Sequence, residues 1–312
     1  MPNAKSYVCT LSPEQIVQFR QALEERNWSF SEAPYACWQA KQDKTTIVAY
    51  SSGKVTVQGR GTPDIIQFVL EPYILHEARY GYENDLAEVE NPQMFEPHGG
   101  IDESGKGDYF GPLVISAAYV DKETARRLLE IGVTDSKAIK NDRRIADIAQ
   151  ETMSLIRGQF ALVTIGPEAY NRMYAKIGNV NRLLAWGHAQ ALETLLERVP
   201  TCPRAISDQF GRKETVIRAL KERGRAIELE QRTKAEADIA VAAASILARH
   251  EFVRRLEALG KVAGCTLPKG AGAHVLALAK DIAAKGGEAA LAGIAKLHFR
   301  TTRQALGLPE LE

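Results

Sequence analysis

Residues 99–114 read Gly-Gly-Ile-Asp-Glu-Ser-Gly-Lys-Gly-Asp-Tyr-Phe-Gly-Pro-Leu-Val, which combines adjacent carboxylates, a lysine between glycines and a Gly-Pro turn before an apolar run. Adjacent carboxylates such as Asp102 and Glu103 repel each other unless a cation lies beside them. Their oxygens suit Mg²⁺ or Mn²⁺. The glycines let the backbone approach a bulky anion, and Lys106 can meet a phosphate. The stretch therefore predicts a metal-dependent enzyme that acts on a phosphodiester.

The two carboxylates pose a geometric problem, because in a regular strand Asp102 and Glu103 would face opposite sides of the sheet. Both can join one site only if the strand ends or bulges there, which Gly105 and Gly107 make possible. The same stretch also fits a phosphate-loop spacing, but Gly107 stands where that motif needs a serine or threonine for magnesium. A nucleotide-hydrolysing enzyme is therefore disfavoured.

Two further carboxylates lie at the end of a predicted strand and at the start of a predicted helix. Asp208 ends a short predicted strand, and Glu236 opens a long alanine-rich helix. Active sites of α/β proteins lie at the ends of strands, where loops and helix starts converge. These two side chains are therefore candidates to join the first pair around two metal ions. Asp238 lies at the same helix start and stays open as an alternative to Glu236.

The composition sets limits on the function. The chain has 312 residues, 45% hydrophobic and 25% charged, with a formal net charge of +1, so any nucleic-acid site must come from local patches. Its four cysteines show no paired spacing, which argues against a zinc ribbon or a disulfide framework. No apolar signal core or membrane-spanning run is present. We predict a cytoplasmic monomer without a membrane partner.

The chain divides into three parts by pattern. Residues 1–82 predict a small α+β domain, in the order strand, helix, three strands, helix. Residues 83–98 are acidic and carry prolines, which predicts a linker. In residues 99–312 strands alternate with longer helices, which predicts an α/β domain with a mixed sheet. In that domain, the helix with Trp186 and His188 is predicted to serve core packing rather than catalysis.

The string from Asp102 to Leu113 resembles the signature of bacterial ribonuclease HIII. Other blocks match that family in the same order along the chain, namely Asp135-Ser136-Lys137, Tyr170-Asn171, Asn179-Val180-Asn181, Leu184–Ala189, Asp208-Gln209-Phe210, Thr233–Glu236, Ala240–Ile246, Pro268–Gly272 and Lys296–Phe299. The first 82 residues resemble the family's TATA-binding-protein-like domain. The resemblance therefore covers nearly the whole chain.

The resemblance implies an RNase H-like mixed sheet flanked by helices, preceded by the TATA-binding-protein-like domain as a substrate-binding unit. It implies endonucleolytic hydrolysis of the RNA strand of RNA/DNA hybrids, leaving 5′-phosphate and 3′-hydroxyl ends. It carries over the catalytic and metal-binding set as Asp102, Glu103, Asp208 and Glu236, with Mg²⁺ or Mn²⁺. Related ribonuclease HII has an aspartate where Glu236 stands, so ribonuclease HIII is the better match.

Physical chemistry suggests how such a site would bind its substrate. A hybrid differs from DNA by its 2′-hydroxyls and its A-like groove. The backbone of Ser104, Gly105, Lys106 and Gly107 could read those hydroxyls, and Lys106 and Lys137 are candidates for phosphate contacts. In the N-terminal domain, cations and aromatics could form a nucleic-acid platform or an ordinary solvated face; these residues are Lys41, Lys44, Lys54, Arg60, Tyr35, Trp38 and Tyr50.

Two rival functions remain open at this point. One is ribonuclease HII-like incision of duplex DNA at a single ribonucleotide. The other is a non-catalytic protein that binds hybrids. Four carboxylates argue against the second, because binding to a polyanion gains nothing from negative charge. His298 is a candidate to position the site or the substrate, and the sequence leaves its role open.

Overall fold

The structure of the chain is a computed structural model that describes residues 6–208, 218–220 and 222–309, with only the backbone at Glu83 and Asn84. The chain forms two compact units, Met1–Glu90 and Asn91–Glu312. Among the described residues, no helix is both long and apolar enough to cross a bilayer.

The first unit is a five-stranded antiparallel sheet packed against helices. Its elements are β1 (Ser6–Thr10), α1 (Pro13–Glu24), β2 (Ser29–Ser31), β3 (Ala36–Gln42), β4 (Thr45–Tyr50), β5 (Lys54–Gly59), α2 (Thr62–Ile65), a π-helix (Ile66–Leu75) and α3 (Glu83–Glu90). The strand order is β1-β5-β4-β3-β2. The predicted order of strands and helices is present, and β2 is an addition that the pattern of the sequence did not indicate.

Local sequence explains how this unit begins. Ser12 caps α1 through a capping box, in which its hydroxyl accepts from the Gln15 amide and its own amide donates to the Gln15 side chain. Phe19 and Leu23 of α1 are fully buried and pack with Ile47 of the sheet and Leu70 of the π-helix. One face of the sheet is therefore covered by helices.

The stretch predicted as an acidic linker, residues 83–98, contains structure of its own. It holds α3, a 3₁₀ turn at Pro92–Phe95 and the first residue of the next strand. The boundary between the two units falls within it, after Glu90.

The second unit is a five-stranded mixed sheet between helices. Its elements are β6 (His98–Ser104), β7 (Leu113–Val120), α4 (Lys122–Glu130), a 3₁₀ turn (Ser136–Ala138), α5 (Asp142–Leu155), β8 (Phe160–Ile165), α6 (Pro167–Ile177), α7 (Val180–Arg198), β9 (Arg204–Asp208), α8 (Glu222–Ala226), β10 (Glu228–Arg232), a 3₁₀ turn (Ala235–Ala237), α9 (Ile239–Ala263), α10 (Ala273–Ala292) and α11 (Arg300–Ala305). The predicted strand at 226–228 is wrong in position, since β10 begins at Glu228. Half of the helix predicted at 215–222 lies outside the described residues.

Strand β6 lies in the middle of this sheet, whose order is β10-β9-β6-β7-β8. It pairs in parallel with β9 and antiparallel with β7. Helix α7 covers one face of β6 and helix α9 covers the other. A Cβ atom built on Gly99 would meet Leu195 of α7, whereas one on Gly100 would lie 2.1 Å from the backbone of Ala240 in α9. Only glycine permits so close an approach, and it brings the start of α9 against the central strand.

Candidate active site

The two adjacent carboxylates lie on opposite faces of β6. The pairing of β6 with β7 is regular through Asp102↔Ser116, Glu103↔Ile115 and Ser104↔Val114, so no bulge turns them to one side. Instead the strand ends at Ser104. Of the two conditions that the sequence allowed, the structure has the strand end and not the bulge.

Each carboxylate is held by a side chain from the helix on its own face. Asp102 faces α9 and accepts a hydrogen bond from Ser245. Glu103 faces α7, where Nε2 of His188 lies 2.9 Å from its Oε2. With Glu103 ionised, this ring nitrogen carries the proton and donates. The two helices therefore fix the two carboxylates independently.

A cleft of about 470 Å³ opens where β6 ends. Its lining includes three of the four predicted metal ligands and all five predicted substrate-binding residues, namely Asp102, Glu103, Asp208, Ser104, Gly105, Lys106, Gly107 and Lys137. The parallel register explains the presence of Asp208, because Ile101 pairs with Ser207 and the next residues along the two strands are Asp102 and Asp208. Two residues that are 106 positions apart in sequence are thus neighbours on adjacent strands.

Glu236 is not among the residues that line this cleft. It lies half-buried on the 3₁₀ turn Ala235–Ala237, which contacts β9, the strand that ends on Asp208. The sequence left Asp238 open as an alternative, and the structure gives it another role. Its side chain caps α9 by accepting from the amides of Ala240 and Val241, and it lies 2.9 Å from Nε2 of the fully buried His98.

The electrostatics of the two carboxylates differ. Burial and the neighbouring charge of Glu103 raise the pKa of Asp102 to about 6, although the hydrogen bond from Ser245 opposes this shift. Burial also acts to raise the pKa of Glu103, but the hydrogen bond and charge of His188, together with Lys106, outweigh it and lower that pKa. Asp102 is therefore the carboxylate that a nearby cation would stabilise most.

The chemistry of the cleft can be tested against a divalent cation. Its acidic donors are all oxygen ligands, the kind that Mg²⁺ and Mn²⁺ prefer, and burial together with the neighbouring charge of Glu103 raises the pKa of Asp102, which a bound cation would offset. Within the residues that the structure describes, no three His, Cys, Asp or Glu side chains already converge closely enough to hold an ion. The donor set fits such a metal in type, with Glu103 turned toward His188 and Lys106.

Positive side chains surround the carboxylates. Nζ of Lys106 lies 3.6 Å from Oε1 of Glu103, and Lys137 is exposed at the rim of the cleft. Arg249 and Lys269 also line the cleft, and both form ion pairs with Asp142, at 3.0 and 2.7 Å. The cleft therefore combines acidic groups at its base with lysines at its rim, a distribution suited to a phosphodiester.

Sequence reasoning missed several groups that support the site. The hydroxyls of Ser136 and Ser245 lie 2.8 Å apart, and Arg249 donates to the carbonyls of Ser136 and Ile139. This network links Asp102, through Ser245, to the turn that carries Lys137. Ser136 and Ser245 stand inside two of the matched sequence blocks, and that was the available signal.

The prediction for the helix with Trp186 and His188 was partly wrong. His188 is fully buried, as core packing requires, yet it contacts Glu103 of the site. Trp186 is 40% exposed and does not belong to the core.

The predicted nucleic-acid platform of the first unit loses one of its aromatic residues. Trp38 is a core residue packed against Phe19, and so cannot be part of an exposed platform. The cations Lys41, Lys44, Lys54 and Arg60 are exposed.

The phosphate-loop spacing has no structural counterpart. Gly100 to Ser104 lie within β6, and the segment that follows leads to β7 rather than to a helix. A phosphate loop instead joins a strand to the N-terminus of a helix. Nucleotide hydrolysis of that kind is therefore excluded.

A family model described as Ribonuclease HII matches residues 99–302, so the second unit is a ribonuclease H. A second model, a domain of unknown function (DUF3378), matches residues 6–78.

The ribonuclease HIII of Chlamydia pneumoniae is 41% identical over 297 residues, which cover 95% of this chain and 96% of that protein. That of Protochlamydia amoebophila is 37% identical and covers 98% and 99%. The crystal structure of Bst-RNase HIII in complex with Mn²⁺ matches 97% of this chain and 98% of its own at 30% identity, with a TM-score of 0.64. The chain belongs to the ribonuclease HIII family and is a ribonuclease H enzyme.

Proposed function

We propose that the chain is a metal-dependent endonuclease that hydrolyses the RNA strand of RNA/DNA hybrids at the cleft beyond β6, leaving 5′-phosphate and 3′-hydroxyl ends. The observation that carries the proposal is the meeting of Asp102, Glu103 and Asp208 with the Ser104–Gly107 loop in one cleft. Neither a carboxylate cluster alone nor a glycine loop alone would suit a phosphodiester so well.

Asp102, Glu103 and Asp208 would hold the divalent ions, with Glu236 as the fourth ligand that the family resemblance assigns. The similar Bst-RNase HIII binds Mn²⁺, and an all-oxygen donor set accepts Mg²⁺ as well. Bound there, such ions supply an activated water and stabilise the leaving oxygen of an in-line displacement. The protein's own part is to keep Asp102 and Glu103 oriented, through Ser245 and His188.

The loop residues would select the substrate. A Cβ atom built on Gly107 would have no protein atom within 4 Å, so the backbone at this position is open to a ligand. Backbone amides of Ser104, Gly105, Lys106 and Gly107 would read the 2′-hydroxyls of the RNA strand. Lys106 and Lys137 would meet phosphates, which position the duplex without reading its sequence.

The N-terminal domain, residues 1–82, would increase affinity without taking part in the chemistry. Its sheet leaves one face uncovered by the helices, and Lys41 of β3 and Lys54 of β5 are exposed at outward positions of that face. Charge reversal of both lysines should raise KM for hybrids severalfold at low salt and leave kcat unchanged. An unchanged KM would contradict this role. We further propose that the enzyme is a cytoplasmic monomer.

The four carboxylates provide the direct test of the metal site. Asp102→Asn, Glu103→Gln, Asp208→Asn and Glu236→Gln should each lose nearly all cleavage while retaining the fold, and Asp281→Asn, at an exposed position of α10, should behave as wild type. Cleavage should require Mg²⁺ or Mn²⁺ and stop with a chelator. Wild-type cleavage by the Asp102 or Asp208 variant would overturn the assignment of the cleft.

A further inference from the structure

Lys296 is a fully buried lysine outside the catalytic cleft. Its Nζ donates to the backbone carbonyl of Asp108 at 2.7 Å and to that of Gly111 at 2.8 Å. Both carbonyls belong to the segment 105–112 that joins β6 to β7, and Lys106 and Gly107 lie at the start of the same segment. The side chain of Lys296 therefore holds the second half of segment 105–112 in place through two hydrogen bonds.

Backbone hydrogen bonds anchor the same half of the segment to the C-terminal part of the chain. The amide of Tyr109 donates to the Gly270 carbonyl at 2.9 Å, and that of Gly111 donates to Ile294 at 2.8 Å. The Gly270 amide donates to the Asp108 carboxylate at 2.6 Å. By contrast, nothing in the described protein lies near a Cβ placed on Gly107. The segment thus has an anchored half and a projecting tip.

A lysine at this position carries an energetic penalty. Burial lowers the pKa of Lys296 to about 7, against the opposing charge of Asp108. The other groups that face the ammonium are the Tyr170 ring, 5.8 Å away, and His298, whose pKa burial and Lys296 lower to about 4. A methionine would fill the space without desolvating a charge. What the lysine adds is the ability to hold two carbonyls at once.

We propose that Lys296 is a positioning residue for substrate binding, which fixes the tip Lys106–Gly107 against the RNA strand by holding the carbonyls of Asp108 and Gly111. The inference rests on the proposed function, since it concerns the loop that would read the hybrid. Lys296 acts through the backbone and touches neither the substrate nor the carboxylates of the site.

The kinetic test compares Lys296→Met with Lys280→Met, which removes an exposed lysine of α10. Because the anchor serves binding, Lys296→Met should raise KM for a hybrid about tenfold and change kcat at saturation less than about twofold. Lys280→Met should leave both constants at wild-type values. A merely structural lysine would instead lower the active fraction, and so kcat, with KM unchanged.

A second measurement does not depend on activity. Amide hydrogen exchange of the full-length protein without substrate should be faster in residues 105–111 of Lys296→Met, with α1 unchanged. If the methionine variant does not fold, Lys296→Gln keeps an uncharged donor and should show the same two effects at smaller size. The proposal would be overturned if residues 105–111 of Lys296→Met exchanged at the wild-type rate, or if they exchanged faster while KM stayed unchanged. Failure of wild type to cleave hybrids would refute the proposed function, and the exchange data would still report on the anchor.

Discussion

Nε2 of His188 lies 2.9 Å from Oε2 of Glu103, so a helix on one face of the sheet holds one carboxylate of the site while Ser245, on the helix of the other face, holds its neighbour. This arrangement solves a problem that a strand poses for adjacent ligands. Alternation sends Asp102 and Glu103 to opposite faces, and the end of β6 at Ser104 lets both line one cleft. The two helices then keep each side chain in place.

His188→Ala should lower cleavage by about tenfold to a hundredfold, because groups that orient a metal ligand have effects of that size. The loss should appear as a higher concentration of Mg²⁺ or Mn²⁺ needed for half-maximal cleavage, measured by titration of the ion at fixed substrate. His188→Gln retains an N–H that can reach Glu103 and should lose much less. A folded alanine variant with wild-type metal dependence would show that the contact has no role in orienting Glu103.

Asp238 and Glu236 lie close in sequence and should behave oppositely. Asp238→Ala removes the cap of α9 and leaves Nε2 of the buried His98 without its partner, which should reduce the free energy of unfolding by about 2 kcal/mol or more. Glu236→Gln should leave stability unchanged and abolish cleavage. Chemical denaturation and hybrid cleavage measure the two effects. Full stability with loss of cleavage in the Asp238 variant would assign that residue, and not Glu236, to the metal site.

Substitution of Gly105 should affect stability, whereas substitution of Gly107 should affect substrate binding. Gly105 has a φ of +90°, and a Cβ there would lie 2.3 Å from the Pro112 carbonyl oxygen, so Gly105→Ala should lower the melting temperature. Gly107→Ala meets no protein atom and should melt as wild type. Its methyl group would instead occupy the side from which the RNA backbone approaches, and KM should rise. Equal KM values for Gly107→Ala and wild type would argue against backbone reading at this position.

Lys296 should make stability depend on pH. Its pKa is about 7 in the folded protein and near 10.5 when unfolded, so between these values the unfolded chain binds more protons. The free energy of unfolding should therefore rise with pH above 7, by about 1.4 kcal/mol for each pH unit from this group. Lys296→Met should lack this contribution when wild type and variant are denatured at pH 6, 7, 8 and 9. Parallel pH profiles of the two proteins would show that the lysine keeps an ordinary pKa.

Local patterns predicted much of the fold from sequence. The strand β4 at Thr45–Tyr50 and the capping box at Ser12 depend on neighbours in the chain and were found where expected. The second helix of the first unit was predicted as one element, but it changes to a π-helix at Ile66. Such a change depends on packing against the rest of the unit, which periodicity does not encode.

The sequence indicated that three of the candidate carboxylates would lie close together. Asp102, Glu103 and Asp208 line one cleft, in agreement with the expectation that carboxylates at strand ends come together. The contact of His188 with Glu103 was not predictable, because a histidine on an apolar helix is expected to be a core residue unless the facing strand is known. Asp238 and Glu236 likewise could not be told apart by spacing, whereas in the structure Asp238 caps α9 and contacts His98.

Cleavage of three labelled duplexes, by wild type and Asp102→Asn, tests most directly whether the cleft is the catalytic site of a ribonuclease H. The duplexes are a full RNA/DNA hybrid, a DNA duplex with a short run of ribonucleotides and one with a single ribonucleotide, each with Mg²⁺ or Mn²⁺. Wild type should cut the first two and largely spare the third, and Asp102→Asn should cut none. Cleavage of the single-ribonucleotide duplex would move the substrate class toward ribonuclease HII. Absence of metal-dependent cleavage of any duplex would contradict the catalytic assignment of the cleft.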